Sequence, residues 1–510
     1  MNNPTPENSF PKNSVWILGD QLAPAHPLLD LARKTETQIV MIESRLRQHA
    51  KAYHKKKIVL ILSAMRHYAE ELRQAGWQVD YRQAASLTEG LQAHLAEFGA
   101  TRLLSMKAAE WEARKFQQSL TGLLGIEVEL SPNRHFLVEQ FQPVEKPGQK
   151  LILEHFYRAM RKHFQVLMEP DGKPTGDDWN FDDQNRKPYK GQPRPVPPLS
   201  IAPDAITRAV MAEVEVSCPN NLGSTVGFAL PVTRREALLA LDDFIENRLP
   251  YFGPYEDAMH LAEPTLFHSM LSPLLNIGLL EPLEVVQRAE QAYRLGQARL
   301  NSVEGFVRQI LGWREYVYWR YHRMMPGFHE RNHWDAQRPL PAFFYTGVTD
   351  MNCLNTVINK VLDTGYSHHI ERLMVLCNFS LLAAINPQMV NNWFLESYFD
   401  AYDWVVTPNV IGMGLCADGG VVGTKPYIAS AAYINKMSDY CQGCRYNPKV
   451  RTGAEACPFN FLYWNFLLNW EDRLRANPRM GPNVLGLKHL SPADRQQVSQ
   501  AASEFLENLT

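Results

Sequence analysis

The chain has 510 residues, of which 45% are hydrophobic and 21% charged, with 52 Lys and Arg against 54 Asp and Glu. This composition excludes a disordered protein, and the length excludes one compact domain because single cores stop growing near roughly 250 to 300 residues. The formal net charge of -2 excludes a protein coated with positive charge, so contacts with nucleic acid must come from local basic clusters.

The N-terminus is polar and lacks the apolar core of a secretory signal. The longest apolar runs are far shorter than the roughly 20 residues that span a bilayer. We therefore expect residues 1–13 to form a flexible tail and the protein to be soluble and cytoplasmic, without membrane contact. The seven cysteines are an odd number, and a reducing cytosol favours metal ligation over disulfides.

Short apolar runs alternate with amphipathic segments between residues 14 and 140, which predicts a doubly wound parallel α/β domain. The predicted strands are 15–18, 38–42, 57–62, 77–81, 102–106 and 126–130. Ligands of such sheets bind beyond the carboxyl ends of the strands. Gly19, Asp20 and Gln21 after the first strand and Glu43 after the second are therefore candidate ligand contacts, although a plain turn would also explain the first three.

Prolines and glycines cluster between residues 141 and 232, which predicts a long connector. From 233 to 510 the chain shows helical spacing without strand alternation, so the second domain is predicted to be all α. The predicted helices include 236–247, 265–274, 283–295, 303–325, 355–362 and 369–385.

The cysteine spacing in the C-terminal part indicates a metal site. Cys441 and Cys444 form a CxxC pair, Cys457 is followed by proline, and Cys353 lies upstream. Four thiolates suit either an iron–sulfur cluster or a structural zinc, and spacing alone does not decide between them. Cys218, Cys377 and Cys416 fit the simpler reading of reduced core cysteines.

Several segments of the helical part carry more polar chemistry than a core needs, although each alone has a structural explanation. Residues 268–272 place hydroxyls where a phosphate could bind at a helix entry. Residues 308–315 form a helix with one polar face. His368, His369 and Arg372 follow one another within about one helical turn.

Together these segments resemble the photolyase/cryptochrome flavoproteins, and the closer resemblance is to their bacterial iron–sulfur branch, the prokaryotic (6-4) photolyases. The resemblance runs over nearly the whole chain in the family's order. Its motifs are ILGDQL (17–22), HKKKIVLILSAMRHYAEEL (54–72), FYRAMRK (156–162), WNFDDQNRKP (179–188), VEGFVRQILGWREY (303–316), MNC (351–353), HHIERLM (368–374), PNVIGM (408–413), GTKPY (423–427), YINKMSDYC (433–441) and CPFN (457–460).

The resemblance implies an N-terminal antenna domain and a helical domain that binds FAD and a [4Fe-4S] cluster. The implied FAD phosphate contacts are His268, Ser269, Leu271 and Ser272. The implied flavin pocket comprises Gln309, Trp313, Arg314, Arg372 paired with Asp403, and Asn409 near the flavin N5. The implied cluster ligands are Cys353, Cys441, Cys444 and Cys457. A 6,7-dimethyl-8-ribityllumazine antenna is implied at Gly19, Asp20, Gln21 and Glu43.

The implied activity is light-dependent repair of (6-4) photoproducts by a monomer that binds UV-damaged DNA. An electron would pass from photoexcited reduced FAD to a flipped-out lesion. His369, with His368 beside it, would donate a proton, since a histidine pKa near 6.5 allows this at modest cost. Tyr427 and Tyr433 would contact the flipped bases. The alternatives are a blue-light photoreceptor (cryptochrome) of the same fold and a metal-containing DNA-binding protein that does not use light.

Two basic clusters are candidate DNA contacts, and a solvated charged surface would explain them equally well. They comprise Arg186, Lys187, Lys190 and Arg194 in the connector and Arg445, Lys449 and Arg451 beside the cysteines. Asp177, Asp178, Asp182 and Asp183 are weaker candidates for a divalent cation.

The chain departs from the family pattern away from the repair residues. Ile42 and Arg47 differ near the antenna. In the aromatic path that reduces the flavin, Trp393 is kept, Phe394 stands in place of a tyrosine, and Tyr345 stands in place of a tryptophan. We therefore expect light harvesting and photoreduction to differ from the family, with Trp393 and Tyr345 as the electron-transfer residues.

Overall fold

The computed structural model of the chain describes residues 13–30, 32–141, 143–146 and 150–509. The chain divides into two compact units, here called the α/β unit (1–142, 199–241 and 271–285) and the helical unit (143–198, 242–270 and 286–510). The segment predicted as a connector, 141–232, is shared between the two units. Of the predicted tail, residues 1–12 lie outside the described residues, and Asn13 begins the first strand.

The α/β unit is built on a five-stranded parallel sheet with the order β3-β2-β1-β4-β5, which confirms the predicted doubly wound fold. The strands are β1 (Asn13–Trp16), β2 (Thr37–Ser44), β3 (Gln78–Ala84), β4 (Arg102–Met106) and β5 (Glu127–Ser131). Every residue of β2 is buried, as expected for an inner strand of a sheet covered on both faces. Ligand sites of this fold lie at the carboxyl ends of the strands.

The strand predicted at 57–62 is wrong, because these residues belong to the helix Lys55–Gln74. The His54 side chain caps this helix by accepting a hydrogen bond from the Lys56 N–H at 3.2 Å. A short apolar run does not distinguish a buried strand from a buried turn of helix. Gly19 packs against the helix, and a Cβ there would lie 2.7 Å from Met65 Sδ, so a larger residue would require the Met65 side chain to move.

Ser14, His94 and Asp80 form a hydrogen-bonded chain inside the α/β unit. Ser14 Oγ lies 2.7 Å from His94 Nε2, and His94 Nδ1 lies 2.6 Å from Asp80 Oδ2. Ser14 and His94 are fully buried, so no substrate reaches the hydroxyl. Ser14 also precedes the carboxyl end of β1, and the chain is therefore a structural network that satisfies buried polar groups.

The remaining helices cover the sheet and build the helical unit. In the α/β unit they are Pro27–Asp30, Arg45–Gln48, Leu87–Phe98, Trp111–Leu124, Leu137–Glu139, Ala205–Ser217 and Ser272–Asn276. Arg234–Asn247 and Pro282–Arg294 each belong partly to both units.

The helical unit confirms the prediction of an all-helical C-terminal part. Its α-helices and 3₁₀ turns are Leu153–Phe164, Asp182–Gln184, Leu249–Tyr255, Leu300–Val307, Glu315–Met324, Phe343–Thr346, Asn352–Thr364, Asn378–Leu382, Pro387–Ser397, Asp403–Thr407, Ala431–Met437, Pro458–Asn469, Glu471–Arg475, Gly481–Leu485, Gly486–His489 and Pro492–Glu507. Within the described part of the chain, every helix is too short or too polar to cross a membrane.

Candidate active site

Three segments of the helical unit are wound as π-helices, a rare geometry that frequently marks functional sites. They are Arg308–Arg314, Glu371–Cys377 and Pro408–Gly414, and the last two pack against each other. The first carries the predicted flavin-pocket residues Gln309, Trp313 and Arg314, the second carries Arg372, and the third carries Asn409. The predicted pocket residues therefore coincide with local widening of the helices.

Polar side chains on these segments have fixed orientations. The Gln309 side-chain amide donates to the Gly305 carbonyl at 3.0 Å, and the Asn409 amide donates to the Val405 carbonyl at 2.7 Å. The buried Arg314 guanidinium donates to Glu315 Oε1 at 2.7 Å and lies 5.1 Å from the centre of the Trp404 ring. Desolvation lowers the Arg314 pKa.

The predicted pairing of Arg372 with Asp403 is wrong. The Arg372 guanidinium makes a two-pronged ion pair with Asp400, with both N–O distances 3.1 Å. Asp403 instead accepts from the Tyr321 hydroxyl at 2.5 Å and the Thr407 hydroxyl at 2.6 Å, and lies 2.9 Å from His329 Nε2. Asp403 is the first residue of the helix Asp403–Thr407, and Thr407 lies one turn further along it. The Asp403 carboxylate therefore hydrogen-bonds within its own helix. Sequence reasoning missed Asp400 because no pattern separates two aspartates three positions apart.

The segment predicted to hold phosphates is an irregular loop. The predicted helix 265–274 is wrong over most of its length, since only Ser272–Asn276 is helical here. Met270 has a φ of 61°, a left-handed conformation that is uncommon for a residue other than glycine and that interrupts a helix. His268 and Ser269 belong to the helical unit, whereas Leu271 and Ser272 belong to the α/β unit.

The two candidate catalytic histidines lie in different environments. The His368 ring is buried and stacks on the His268 ring, with centroids 4.3 Å apart. His369 is solvent-exposed, although neighbouring protein partly desolvates its ring. Burial, followed by the charge of Arg372, lowers the His369 pKa to about 4. His369 is therefore the histidine that a bound substrate can reach.

The two tyrosines predicted to contact flipped bases lie near one charged cluster. The Tyr433 hydroxyl hydrogen-bonds to Asp257, and Arg186 and Asp182 lie close enough to perturb Tyr427 electrostatically. Arg186 also perturbs Tyr433 and pairs with Asp182 at 3.7 Å. The structure thus brings a predicted DNA-contacting arginine to both tyrosines.

The four candidate metal-ligating cysteines line one cavity. Cys353 lies in the first turn of Asn352–Thr364, and Cys457 immediately precedes Pro458–Asn469. Cys441 and Cys444 flank a turn in which Gly443 has a φ of 76°, a conformation that favours glycine. The thiols therefore converge from three separate parts of the helical unit.

Apart from the thiols, the lining of this cavity is largely apolar. Apolar side chains of Ala431, Ile434 and Phe459 complete the lining. Burial raises the pKa of Cys441 to about 11 and that of Cys457 to about 12. Among the described residues, no three His, Cys, Asp or Glu side chains are grouped closely enough to hold a single metal ion.

Two of the residues predicted to contact a ligand beyond the strands, Gln21 and Glu43, form hydrogen bonds within the protein. The Gln21 amide donates to the Met106 and Lys107 carbonyls at 3.0 and 3.2 Å. The buried Glu43 carboxylate accepts from Arg66 at 2.8 Å and also from Tyr81. Both side chains therefore fix the sheet edge.

The chemically available group at this edge is Asp20. Its carboxyl lies near Arg47 and Glu110, which pair with each other at 3.2 Å. Burial and the nearby Glu110 charge raise the Asp20 pKa to about 7, and Arg47 opposes the shift. Sequence reasoning missed Glu110, although it follows β4 at the same edge of the sheet.

Replacing Asp20 with asparagine should raise stability at alkaline pH. Between about pH 4 and pH 7 the folded protein keeps a proton that the unfolded chain has released, so wild-type stability falls as pH rises through this window. We expect the variant to unfold about 2 °C or more above wild type at about pH 8, with the difference shrinking at about pH 5. Thermal unfolding with the exposed Asp472→Asn variant as control checks this, and a pH-independent difference would contradict it.

A curated (6-4) photolyase of Agrobacterium fabrum is 43% identical to this chain over 504 residues, covering 97% of this chain and 99% of that protein. The chain belongs to the photolyase/cryptochrome superfamily. A family model described as deoxyribodipyrimidine photo-lyase-related protein matches residues 15–230 of this superfamily member. An uncharacterized protein of Acanthamoeba polyphaga mimivirus is 36% identical over 127 residues, or 25% of this chain and 89% of that protein.

Solved structures of photolyases and cryptochromes share the fold. A bacterial class III photolyase from Agrobacterium tumefaciens aligns with a TM-score of 0.59 and 16% identity, covering 98% of each chain. A cryptochrome of Synechocystis sp. PCC6803 aligns with a TM-score of 0.61 and 14% identity, covering 98% of this chain and 99% of that one. At these identities the likeness supports the two-part architecture alone.

Membership in this superfamily implies FAD as cofactor, and the observed residues fit that group. The Arg372 side chain is 21% exposed, and Asp400 holds its guanidinium. Among the described residues, the buried Nε2 of His268 and Oδ1 of Asn391 have no hydrogen-bond partner, as expected for polar atoms beside a ligand. In this photolyase-family chain, the three π-helices and Arg372 carry side chains that could hold the cofactor.

The predicted electron-transfer residues differ in exposure. Trp393 is fully buried and packs against the rings of Phe344, Phe394 and Tyr398, with centroids 5.1, 5.3 and 5.9 Å away. Tyr345 follows Phe344 and is 48% exposed. Trp393 therefore lies inside the unit while Tyr345 lies at its surface, as the ends of a path for electrons would.

Proposed function

We propose that this chain repairs (6-4) photoproducts in DNA in a light-dependent reaction. The observation that carries the proposal is His369, a solvent-exposed histidine one helical turn from the Arg372–Asp400 pair. The near full-length similarity to a protein named (6-4) photolyase supports repair over the photoreceptor alternative. It also disfavours the reading as a DNA-binding protein that does not use light.

The chain's own residues supply positioning, charge and a proton. When bound, reduced FAD would supply an electron to the lesion on illumination and take it back. Arg372, held by Asp400, places a fixed positive charge one helical turn from His369, which favours an anionic cofactor. His369 Nδ1 or Nε2 would then deliver a proton to the lesion.

The lesion has to leave the duplex to reach His369. Flipping costs a few kcal/mol, and least where base pairing is already damaged. Tyr427 and Tyr433 would stack on or hydrogen-bond the flipped bases, and Arg186 would contact the neighbouring phosphate. We propose further contacts with the DNA backbone for the exposed Lys187, Lys190, Arg194 and Lys449. Arg445 and Arg451 instead form ion pairs with Asp350 and Asp494, respectively.

We propose a [4Fe-4S] cluster at Cys353, Cys441, Cys444 and Cys457. Thiolates bound to one zinc at about 2.3 Å lie only about 4 Å from one another, whereas a cluster of four irons needs its ligands spread around a larger body. The cavity that all four cysteines share supports a common metal group there, and the chain's resemblance to the iron–sulfur branch of the photolyases favours the cluster over zinc. We also propose that a lumazine antenna binds near Asp20 and that the protein is a monomer.

Illumination of the reduced protein with an oligonucleotide that contains a (6-4) photoproduct tests the proposal. We expect intact thymines to return only in the light, as measured by chromatography of the digested oligonucleotide. A photoreceptor would reduce its flavin in blue light but leave the lesion unchanged. A colourless protein without flavin would favour the light-independent DNA-binding alternative.

Replacing Trp393 with phenylalanine should slow reduction of the flavin by light. Phenylalanine is harder to oxidise than tryptophan, and the rings that surround Trp393 include two further phenylalanines, Phe344 and Phe394. We expect repair by chemically reduced protein to stay near wild type. Absorption changes during illumination check this, and unchanged photoreduction would show that electrons bypass Trp393.

A further inference from the structure

A buried carboxylate, Glu371, lies between the four-cysteine cavity and the histidine pair. Its side chain has no exposed surface, and it begins the π-helix that carries Arg372. One oxygen, Oε1, accepts from the Tyr440 hydroxyl at 2.5 Å. The Lys360 ammonium donates to both carboxylate oxygens and balances the buried charge.

The other carboxylate oxygen contacts the histidine segment. Glu371 Oε2 accepts from the His368 backbone N–H at 3.3 Å and lies 3.6 Å from His368 Nε2. Among the described residues, neither ring nitrogen of His368 has a hydrogen-bond partner, and the ring stacks on His268. Through this hydrogen bond, Glu371 holds the position of the backbone that directly precedes His369.

The opposite end of this network lies in the loop between Met437 and Pro458 that carries Cys441 and Cys444, here called the cysteine loop. Tyr440 lines the cysteine cavity and directly precedes Cys441. Its carbonyl accepts from the side-chain amide of Asn352 at 2.8 Å, and Asn352 directly precedes Cys353. Tyr440 is thus fixed beside Cys441 and Cys353. A displacement of these two cysteines would therefore move the hydroxyl that donates to Glu371.

Packing alone does not account for this arrangement. A buried carboxylate with several donors is expensive to leave partly satisfied, so a displacement of Tyr440 forces Glu371 to seek another donor. Besides Lys360, Glu371 already contacts the His368 segment, so a shift of its carboxylate changes that hydrogen bond. Movement of the cysteine loop is therefore transmitted to the histidines through two hydrogen bonds.

We propose that Glu371 and Tyr440 are positioning residues for repair, which link the cysteine cavity to the His368–His369 segment. This inference rests on the proposed repair function. The metal group would then have two structural effects. It would hold the C-terminal segment, and by holding the cysteine loop it would maintain the geometry of the proton donor.

The Tyr440→Phe variant tests the link by removing one hydroxyl. We expect backbone hydrogen exchange over residues 366–370 to become about fivefold faster or more, because the His368 amide loses its fixed acceptor. At saturating lesion DNA we expect repair per absorbed photon to fall about threefold or more, with the Kd for lesion DNA and the visible cluster absorption unchanged. Tyr463→Phe is the matched control, because its hydroxyl accepts from Asn483 at 3.0 Å elsewhere in the helical unit.

Glu371→Gln provides a second route that leaves the cysteine loop untouched. It should accelerate exchange and slow repair in the same way, and adding Tyr440→Phe should change little more, because both act through one hydrogen bond. Tyr440→Phe that exchanges or repairs like Tyr463→Phe would overturn the proposal. If wild type does not repair lesions but the exchange difference is present, the proposed function fails while the link between the cavity and the histidines stands.

Discussion

Replacing His369 with alanine is expected to abolish repair of the (6-4) photoproduct while the protein still binds FAD. The side chain is water-accessible and makes no ion pair, so its removal leaves no buried charge unpaired. Loss of a general acid typically costs about 100-fold or more in rate. Recovery of thymines under light, with flavin absorption measured on the same sample, checks both parts of the expectation.

The exposed His489→Ala variant is the control, because it removes an imidazole far along the chain in the same unit. It should repair at the wild-type rate. Normal repair by His369→Ala would mean that another group donates the proton. Loss of flavin absorption in His369→Ala would instead assign the residue to cofactor binding.

The pH dependence of repair follows from the same residue. Burial and Arg372 hold the His369 pKa near 4 in the protein without DNA, so the ring is neutral at neutral pH. Phosphates of bound DNA bring negative charge, which raises that pKa, and only the protonated form can donate. Repair at saturating DNA should therefore decline as pH rises, and the decline should be absent from any residual activity of His369→Ala.

Periodicity predicts most of the fold, and its failures have identifiable physical causes. Five predicted strands coincide with β1 to β5. The remaining predicted strand, 57–62, is part of a helix that continues to Gln74, and most of its apolar residues are buried on that helix. Neither the π-helices nor the left-handed Met270 leaves a mark on hydrophobic spacing, since both depend on tertiary contacts.

The site is less predictable than the fold because it depends on side-chain geometry. Motifs locate Arg372 and the aspartate-rich stretch after Tyr398, but only the folded backbone shows that Asp400 meets the guanidinium. Likewise, Glu371 reads as an ordinary helix residue next to Arg372. Its role becomes visible only when Tyr440, 69 positions away, donates to it.

Replacing Cys441 with alanine should have the largest effect on folding. Between Met437 and Pro458 the chain has no helix or strand, and one backbone bridge, Asn447 to Ala456, spans this segment. Metal binding contributes directly to folding free energy in such segments, so we expect unfolding free energy to fall by several kcal/mol. The expected product is largely insoluble protein without broad visible iron–sulfur absorption.

The control for this variant is Cys218→Ala, which removes a buried thiol in the α/β unit, away from the other cysteines. It should remain soluble and keep the visible absorption, because a small buried thiol contributes packing alone. Solubility after centrifugation, iron content and the visible spectrum distinguish the two variants. A soluble, folded Cys441→Ala protein would mean that the cysteine loop holds its position without the metal, and the link through Tyr440 would then survive loss of the cluster.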